Sequence, residues 1–293
     1  MDQQEWLARQ FEDQRPRLRA VAYRMLGSLS EADDAVQEAW LRLSRADASD
    51  VENLRAWLTT IVARVALNLL RARNTRREQP LEVHVPDPII DPADGTDPEH
   101  EALLADSVGL AMLVVLETLT PAERLAYVLH DMFSVPFDEI GAILDRSPDA
   151  ARQLASRGRR RIRGADTTPD ADQAAQQEVV EAFLAAARDG DFDALVAVLD
   201  PDIVVHEDTG SGTLVEVRGA ENVARRAAAV SRIGLVAWPA LVNGAAGWVS
   251  LLDGAVFAVG ALTVQNGRIT TMDILLDPAR LARLDLTAFD ARR

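Results

Sequence analysis

The chain has 293 residues and a formal net charge of −15, and this length indicates two or three domains rather than one. It contains no cysteine, which excludes a disulfide framework, a catalytic thiolate and a zinc–thiolate site. No stretch reaches the roughly 20 apolar residues that cross a bilayer, and the first residues, MDQQEWLARQFEDQ, lack the apolar run of a signal peptide. We therefore expect a cytoplasmic protein with no membrane partner.

The positive charge of this acidic chain is concentrated in two short segments. All 31 basic residues are arginine, and they gather in RARNTRR (71–77) and in ARQLASRGRRRIR (151–163), where six of thirteen positions are arginine. The blocks that contain these segments, 1–80 and 119–164, carry net charges of +1 and +2, whereas the stretches between and after them carry −9 each. Such clusters favour binding to the phosphates of a nucleic acid.

The first predicted helix is SEADDAVQEAWLRL (30–43). Ser30 is predicted to cap it, with Asp33 as the partner in a capping box. Its apolar stripe consists of Ala32, Ala35, Val36, Ala39, Trp40 and Leu43. This spacing predicts an amphipathic helix with a charged outer face.

A second amphipathic helix is predicted in LRAWLTTIVARVALNLLRAR (54–73). Its apolar stripe consists of Leu54, Leu58, Ile61, Val62, Val65 and Leu69. Arg64, Asn68 and Arg71 line the flank of this stripe at helical spacing. The helix therefore presents polar and basic groups beside the surface that it buries.

Two breaks divide the chain into three domains. The segment 80–101 contains five prolines and no basic residue, which predicts a linker and not a helix. The segment GADTTPDADQ (164–173) is a second, shorter linker. The three predicted domains are 1–79, 102–163 and 174–293.

The second domain ends in a predicted helix-turn-helix, PFDEIGAILDRSPDAARQLASRGRRRIR (136–163). Ser147 is predicted to cap the second helix, with Pro148 in its first turn. The packing face of this helix consists of Ala151, Leu154, Ala155, Gly158 and Ile162. The opposite face carries Gln153, Ser156, Arg157 and Arg160. An ordinary helical hairpin with a solvated basic face remains the alternative interpretation.

The third domain has the pattern of an α+β fold. A helix, QEVVEAFLAAARDG, precedes short runs rich in valine, isoleucine and leucine, and QNGR (265–268) is typical of a two-residue hairpin turn. A mostly antiparallel sheet is therefore predicted.

Catalysis is a possible function of this third domain. His206 and Asp208 lie two apart on a predicted strand and share a face, and Asp273 on another strand can join them in proton transfer. Trp238 and Trp248 are predicted in the core, with a pocket for an unknown small apolar ligand as the alternative. The remaining histidines are scattered, so we expect no metal site and no cofactor.

The helical part of the chain resembles bacterial sigma factors of the extracytoplasmic-function (ECF) class. The resemblance lies in L-x-x-L-x-P-x-E-R (116–124), E-I-G-x-I-L (139–144) and the serine-to-arginine run 147–153. The segments 29–43 and 54–77 are similar to the helix that docks on the clamp helices of the polymerase β′ subunit and to the helix that opens the −10 element. The resemblance implies two all-α domains that bind core RNA polymerase and promoter DNA.

This resemblance assigns three sets of residues. The polymerase-binding set is Asp33, Asp34, Gln37, Glu38 and Leu41. The −10 set is Arg64, Asn68, Arg71, Arg73, Arg76 and Arg77. The −35 set is Arg152, Gln153, Ser156, Arg157 and Arg160, with Arg159, Arg161 and Arg163 on the DNA backbone.

The third domain resembles the cone-shaped SnoaL-like fold, which one ECF subgroup carries at its C-terminus. The likeness lies in VHVPDP (83–88), DTGSGT (208–213) and DPARL (277–281), all imperfect matches to the subgroup's motifs. It implies a regulatory set of residues at the contact between domains: Pro86, Asp208, Gly210, Gly212, Asp277, Pro278 and Leu281. We expect this domain to dock on both sigma domains and the linker, with Leu281 and Leu284 at the apolar centre of the contact.

Two other functions remain open at this stage. The first is a helix-turn-helix repressor with a ligand-binding domain, which leaves residues 5–79 unexplained. The second is a SnoaL-like enzyme, although the resemblance to sigma factors implies that the chain is not an enzyme.

Overall fold

A computed structural model describes residues 3–45, 53–76, 84–93, 95, 100, 109–164, 170, 172–230, 233–284, 286, 287 and 289. The chain forms two compact units. The first comprises Met1–Leu81, Glu101–Asp106 and Val115–Ala165, and the second comprises Glu82–His100, Ser107–Val114 and Asp166–Arg293. No helix within the described ranges has the length and apolarity needed to cross a membrane.

The first unit begins with three packed helices: α1 (Gln3–Leu26), α2 (Leu29–Leu43) and α3 (Leu54–Arg76). The predicted stripe of α2 is confirmed, because Ala32, Ala35, Val36, Ala39 and Leu43 are all buried. Trp40 is half-buried, and its ring centre lies 5.1 Å from that of Phe11 on α1.

The predicted cap of α2 is wrong by two residues. The N-cap is Ser28, which makes no side-chain capping bond, and Ser30 lies inside the first turn. The cause is the tight connection from α1, where Gly27 adopts a positive φ of 68° and only two residues separate the helices. The predicted stripe of α3 is also displaced toward its end, since Ala66 and Leu70 are buried whereas Val65 and Leu69 are half-buried.

The rest of this unit is a second helical group. It consists of α4 (Leu110–Glu117), α5 (Pro121–Tyr127) with a π-helical turn (Val128–Met132), α6 (Phe137–Leu144) and α7 (Pro148–Gly164). Helix α4 crosses the boundary between the two units.

The helix-turn-helix formed by α6 and α7 is confirmed. Helix α6 ends at Asp145 in the left-handed conformation, and the Ser147 hydroxyl accepts the Ala150 N–H at 3.2 Å at the start of α7. The buried residues of α7 are the five that the sequence predicted. A Cβ on Gly141 would lie 2.7 Å from the Arg146 carbonyl oxygen, so the tight turn requires glycine here.

The second unit is built on one seven-stranded sheet. Its strands are β1 (Ile90–Pro92), β2 (Leu199–Asp208), β3 (Val215–Arg218), β4 (Val236–Val242), β5 (Ala245–Leu252), β6 (Ala255–Gln265) and β7 (Arg268–Leu275), in the spatial order β1-β4-β5-β6-β7-β2-β3. All pairs are antiparallel except β2 with β7. The predicted hairpin is confirmed, because Asn266 and Gly267 both have positive φ between β6 and β7.

Helices cover one face of this sheet. They are α8 (Gln173–Asp189), α9 (Phe192–Val198) and α10 (Ala220–Val230), and α11 (Pro278–Leu281) follows β7. The core holds Phe183 and Trp248, whose ring centres are 5.9 Å apart. The Trp248 ring lies directly on Gly260, where an added Cβ would be 2.2 Å from it. The predicted core position of Trp248 is therefore confirmed, whereas that of Trp238 is wrong, because Trp238 on β4 is only half-buried and lies outside the core cluster.

Residues 84–93 of the proline-rich segment form no helix, as predicted, whereas His100 near its end is helical. Instead, Ile90–Pro92 form β1 and extend the sheet by pairing with β4. The side-chain oxygen Oδ1 of Asn243 accepts the Ile89 N–H at 3.1 Å, and the Asn243 N–H donates to the Ile89 carbonyl at 2.8 Å. Part of the sequence that reads as a linker is thus an edge strand of the C-terminal sheet.

Candidate nucleic-acid interface

The basic face of α7 is open to solvent. Arg152, Gln153, Arg157 and Arg160 are exposed and Ser156 is half-buried. Because the opposite face of α7 packs into the helix-turn-helix, these five side chains form one outward surface. The predicted −35 residues therefore lie together.

A buried carboxylate lies beneath this face. Glu123, in the first turn of α5, forms a capping box with Thr120. Its Oε1 accepts Arg157 Nε and its Oε2 accepts Arg161 Nη1, each at 3.0 Å. Burial opposes ionisation, but the Thr120 hydrogen bonds and the charges of the two arginines outweigh it and lower the pKa of Glu123.

Other arginines of α7 also have partners within the domain. Arg152 pairs with Asp149 at 2.8 Å, and its guanidinium lies 5.3 Å from the ring centre of Phe137. Arg159 pairs with Asp131. These contacts restrict the side chains before any ligand binds.

Helix α3 presents a second polar face. Arg64, Asn68 and Arg71 are exposed along it, as the sequence predicts. Arg73 lies nearby but contacts its own domain, donating to the Leu26 carbonyl at 3.1 Å and pairing with Glu31.

The end of α3 is only partly described. The backbone of Arg76 is helical, but its side chain and all of Arg77 lie outside the described residues. The structure therefore brings Arg64, Asn68 and Arg71 onto one face and leaves the position of those last two groups as a prediction.

The predicted polymerase-binding residues share the outer face of α2. Asp33, Asp34, Gln37 and Leu41 are exposed, and Glu38 is half-buried and pairs with Arg42 at 2.8 Å. Asp33 does not act as a capping-box residue; it pairs with Arg19 of α1 at 2.7 Å. Leu41 is 38% exposed and adds an apolar side chain to this charged face.

The two helical groups of the first unit contact each other through arginines. Arg124 is 1% exposed, donates from Nε to the Arg24 carbonyl at 3.1 Å and pairs with Glu117 at 2.7 Å. The guanidinium groups of Arg17 and Arg24 lie 5.1 and 5.2 Å from the ring centre of Phe133. Arg17 also donates to the Phe133 carbonyl at 2.9 Å.

The faces of α3 and α6 also meet within this unit. Arg64 Nη2 donates to the Ala142 carbonyl of α6 at 3.2 Å. A residue of the predicted −10 set thus contacts the first helix of the helix-turn-helix. In this arrangement the two predicted DNA-reading regions lie side by side.

The second unit contains a separate cluster around Asp208, whose side chain is 1% exposed. Its Oδ2 accepts the Val85 N–H at 3.0 Å and pairs with Arg280 at 2.8 Å, and its Oδ1 accepts the Gly210 N–H at 3.0 Å. His84 Nδ1 lies 3.5 Å from the same carboxylate. Burial opposes ionisation of Asp208, but hydrogen bonds from His84 and Gly210 and the charge of Arg280 lower its pKa.

This Asp208 cluster unites the three segments that carry the predicted regulatory residues. Arg280 reaches a second carboxylate, with Nη2 2.6 Å from Asp87 Oδ1. Asp277 caps α11 by accepting the Ala279 N–H at 2.9 Å, and its carboxylate lies so close to Gly210 that a Cβ there would be 2.7 Å away. The other predicted members are Pro86, which is buried, Gly212, with a φ of 89°, Pro278 at the first turn of α11, and Leu281, which is buried. Leu284 is half-buried.

The residues proposed for catalysis do not form one group. His206 Nδ1 lies 2.8 Å from Asp273 Oδ1, whereas Asp208 is committed to the Asp208 cluster. Burial lowers the pKa of His206, but the hydrogen bond and charge of Asp273 and the charge of Glu216 outweigh it, so that its pKa is raised. Within the described ranges, no group of three histidine, aspartate or glutamate side chains could hold a metal ion.

Three side-chain contacts near these sites were not predicted from the sequence. They are the Glu123 pair beneath α7, the Arg280–Asp87 pair, and the buried Arg124. The P-x-E-R pattern is a sequence signal for a capped helix start at Glu123. Their partners Arg157, Arg24 and Asp87 lie between 34 and 193 positions away along the chain, and a single sequence carries no signal for such pairs.

A helix-turn-helix with a basic second helix, packed with a second helical region, is typical of DNA-binding proteins of transcription. Family models agree: residues 11–76 match Sigma-70 region 2 and residues 110–162 match Sigma-70, region 4. The chain is 41% identical over 220 residues to the ECF RNA polymerase sigma factor SigJ of Mycobacterium tuberculosis, covering 74% of this chain and 70% of that protein. It is 34% identical over 268 residues to the probable ECF RNA polymerase sigma factor SigI of that organism, covering 89% and 90%.

The similarity extends over the C-terminal domain. The crystal structure of M. tuberculosis SigJ matches with a TM-score of 0.75 and 35% identity, over 94% of this chain and 98% of that one. The protein belongs to the ECF RNA polymerase sigma factors. The predicted family and fold class, two helical sigma regions followed by an α+β domain, are confirmed, and a repressor is not favoured.

Proposed function

We propose that this sigma factor binds core RNA polymerase through α2 and reads a promoter through α3 and α7. The observation that carries the proposal is the pair of exposed arginine-bearing faces, one in region 2 and one in region 4. Arginine attracts DNA phosphates without regard to sequence, and it also offers a planar pair of donors to guanine edges. We infer that the protein acts in the cytoplasm, where its DNA is.

The polymerase contact is assigned to the outer face of α2, on the clamp helices of β′. The residues are Asp33, Asp34, Gln37, Glu38 and Leu41. Leu41→Asp should reduce capture of the protein by immobilised core polymerase, because it replaces an exposed apolar contact with a charge. Phe257→Asp is a matched control, since Phe257 is 36% exposed on the C-terminal sheet. Failure of the unaltered protein to bind core polymerase would end the proposal.

The −35 contact is assigned to Arg152, Gln153, Ser156, Arg157 and Arg160 of α7. A bidentate contact to a base contributes about 1–3 kcal/mol of discrimination. A phosphate contact instead weakens binding on all sequences and flattens the salt dependence. Arg152→Ala distinguishes the two roles when its binding is compared on matched and mismatched −35 elements.

The −10 contact is assigned to the polar face of α3, with Arg76 and Arg77 on nearby phosphates. Exposed Arg64, Asn68 and Arg71 can bind an opened strand through its bases and backbone. Arg73 supports this face from within, because its guanidinium joins Glu31 and Leu26. Asn68→Ala should reduce strand opening measured by permanganate reactivity of the −10 thymines.

The contact between regions 2 and 4 implies that the protein opens on DNA. The −10 and −35 elements are named by their promoter positions, which differ by about 25 base pairs. This separation corresponds to about 85 Å of B-form DNA at 3.4 Å per base pair. Arg64 and Ala142 cannot remain hydrogen-bonded while each region occupies its own element. The packed arrangement therefore belongs to the protein before promoter binding.

The C-terminal domain is assigned a regulatory role that acts through the segment between regions 2 and 4. Residues 84–92 are held along its sheet by β1 and by the Asp208 cluster. A tethered contact of this kind benefits from a high effective concentration. Holding this segment limits the freedom of regions 2 and 4 to separate.

Two truncations test this role in transcription from one promoter at equal concentrations of folded protein. Removing residues 276–293 removes Arg280 and should loosen the held segment. Removing everything after Asp166 also removes any productive contact that the domain makes. Equal activity of both truncations and the full chain would exclude regulation by this domain.

We infer that the C-terminal domain is not an enzyme. Asp208 is saturated by donors from three segments, and Trp248 and Phe183 occupy the interior of the core. The protein can be assayed for the cyclase and isomerase reactions of SnoaL-like enzymes. Turnover of a small molecule that is lost in Asp273→Asn would contradict this inference.

A further inference from the structure

Four donor groups converge on the Glu123 carboxylate in region 4. Two come from Thr120, whose hydroxyl and backbone N–H lie 2.9 and 3.3 Å from Oε2. The other two are Arg157 Nε and Arg161 Nη1. Arg157 and Arg161 lie one turn apart on α7 and point down to the same carboxylate, which is therefore placed centrally beneath the basic face.

The burial of these groups is uneven. The Glu123 side chain is 6% exposed, whereas those of Arg157 and Arg161 are 45% and 52% exposed. The carboxylate is thus fixed in the domain while the guanidinium groups reach the surface. Charge-assisted hydrogen bonds to a fixed carboxylate restrict the orientation of both guanidinium groups.

The geometry of each pair leaves donors for a second acceptor. Arg157 is held through Nε, so Nη1 and Nη2 are not used in this ion pair. Arg161 is held through Nη1, and Nε and Nη2 are likewise not used. A guanidinium can therefore bind Glu123 on one side and a base edge or phosphate on another.

We propose that Glu123 is a positioning residue for promoter recognition, which orients Arg157 toward base edges and withholds part of the charge of Arg157 and Arg161 from DNA phosphates. The proposal rests on the −35 role given to α7. Without the carboxylate, the basic face gains one unit of positive charge and both guanidinium groups become mobile. Sequence-independent binding then rises and discrimination between −35 sequences falls.

The salt dependence gives the size of the first effect. Each phosphate neutralised on duplex DNA adds about 0.9 to the slope of log K against log salt. Loss of one carboxylate charge frees one unit of positive charge, so the slope should steepen by about 0.9 in Glu123→Gln. Loss of an oriented bidentate contact should reduce the preference for the matched −35 element by about tenfold.

The test uses the full-length protein in complex with core polymerase. Binding to duplex promoters with matched and scrambled −35 elements is measured across a range of salt concentrations for the unaltered protein, Glu123→Gln and Thr120→Val. Thr120→Val is the matched control, because it removes the hydroxyl of the capping box and keeps the carboxylate with both arginines. The double variant Glu123→Gln with Arg157→Ala should show no greater loss of discrimination than Arg157→Ala alone.

The expected result is a steeper slope and weaker discrimination in Glu123→Gln, with neither change in Thr120→Val. If Glu123→Gln does not fold, Glu123→Asp tests the orienting role alone, because it shortens the side chain that holds both arginines and keeps its negative charge. Discrimination should then fall with little change in slope. Unchanged discrimination in whichever variant folds, or an unchanged slope in Glu123→Gln, would overturn this inference. The proposed function would still stand, provided that the unaltered protein discriminates. An unaltered protein that does not discriminate between −35 elements would overturn the proposed function and this inference with it.

Discussion

Arg280→Ala should release residues 84–92 from the C-terminal sheet. Arg280 joins two segments, since its guanidinium contacts Asp208 at 2.8 Å and Asp87 at 2.6 Å. Its side chain is 15% exposed and that of Asp208 is 1% exposed. The substitution therefore leaves a buried carboxylate without its main cationic partner.

The free-energy loss in Arg280→Ala depends on the hydrogen-bond partners that Asp208 retains. Removing one partner of a buried pair costs about 3–5 kcal/mol. Asp208 retains the N–H groups of Val85 and Gly210 and the neighbouring His84, so we expect a smaller loss of about 2–3 kcal/mol. This corresponds to a shift of about 30- to 140-fold in the equilibrium between held and released segment.

Amide hydrogen exchange measures this equilibrium directly. Peptides that contain residues 84–92 should exchange about 30- to 140-fold faster in Arg280→Ala, while those of the 265–268 hairpin should not change. Arg283→Ala is a matched control, because Arg283 is exposed and its Nε donates only to the Ala279 carbonyl of its own helix end. Identical exchange of residues 84–92 in Arg280→Ala and the unaltered protein would refute the reasoning.

Three further predictions concern packing, pH and opening. Gly260→Ala should lower the free energy of unfolding by about 1–3 kcal/mol, because the new methyl group overlaps the Trp248 ring; chemical denaturation of the C-terminal domain measures this, and a neutral effect would contradict the packing. His206 has a raised pKa, so its protonated form stabilises the fold below pH 6.5 and the contribution is lost as the pH rises through that raised pKa; the melting temperature of His206→Gln should fall short of that of the unaltered protein more at pH 5.5 than at pH 8.5, and the reverse order would be evidence against the ion pair. Phe133→Ala removes the ring that two arginines of α1 contact, so fluorescence energy transfer between labels on regions 2 and 4 of this cysteine-free chain should decrease; unchanged transfer would show that this contact does not hold the regions together.

The local parts of the fold could be predicted from the sequence. Ser147, Pro148 and the five packing residues of α7 act within one helix, and the Asn266–Gly267 turn acts within one hairpin. Such features depend on neighbours a few positions away, so their signals are present in the sequence itself. Their positions in the structure agree with the predictions.

Tertiary contacts explain where the predictions were wrong or incomplete. Ser30 has the chemistry of a cap, but the short connection after Gly27 starts α2 at Leu29. The stripe of α3 is displaced because α3 packs against α1 and α2 and also against α5 and α6, so that more than one face of the helix is buried. The sequence does not reveal this additional contact.

In the candidate sites too, local features could be predicted from the sequence and distant contacts could not. The exposed residues of α7 and α2 follow from helical periodicity, and the structure places them on common faces. The sequence did not predict that Arg157 is held by Glu123, or that β1 pairs with β4 at a separation of about 150 residues. Strand pairing at this distance depends on the fold of the whole domain.

Promoter-specific transcription by the reconstituted enzyme tests the central claim most directly. Purified full-length protein and core RNA polymerase are incubated with a promoter selected from a random library, and the run-off transcript is quantified. We predict a transcript of defined start that requires both the protein and the core enzyme, and that is lost when either the −10 or the −35 element is scrambled. No transcript above that of core polymerase alone, or one that is indifferent to both elements, would contradict the account.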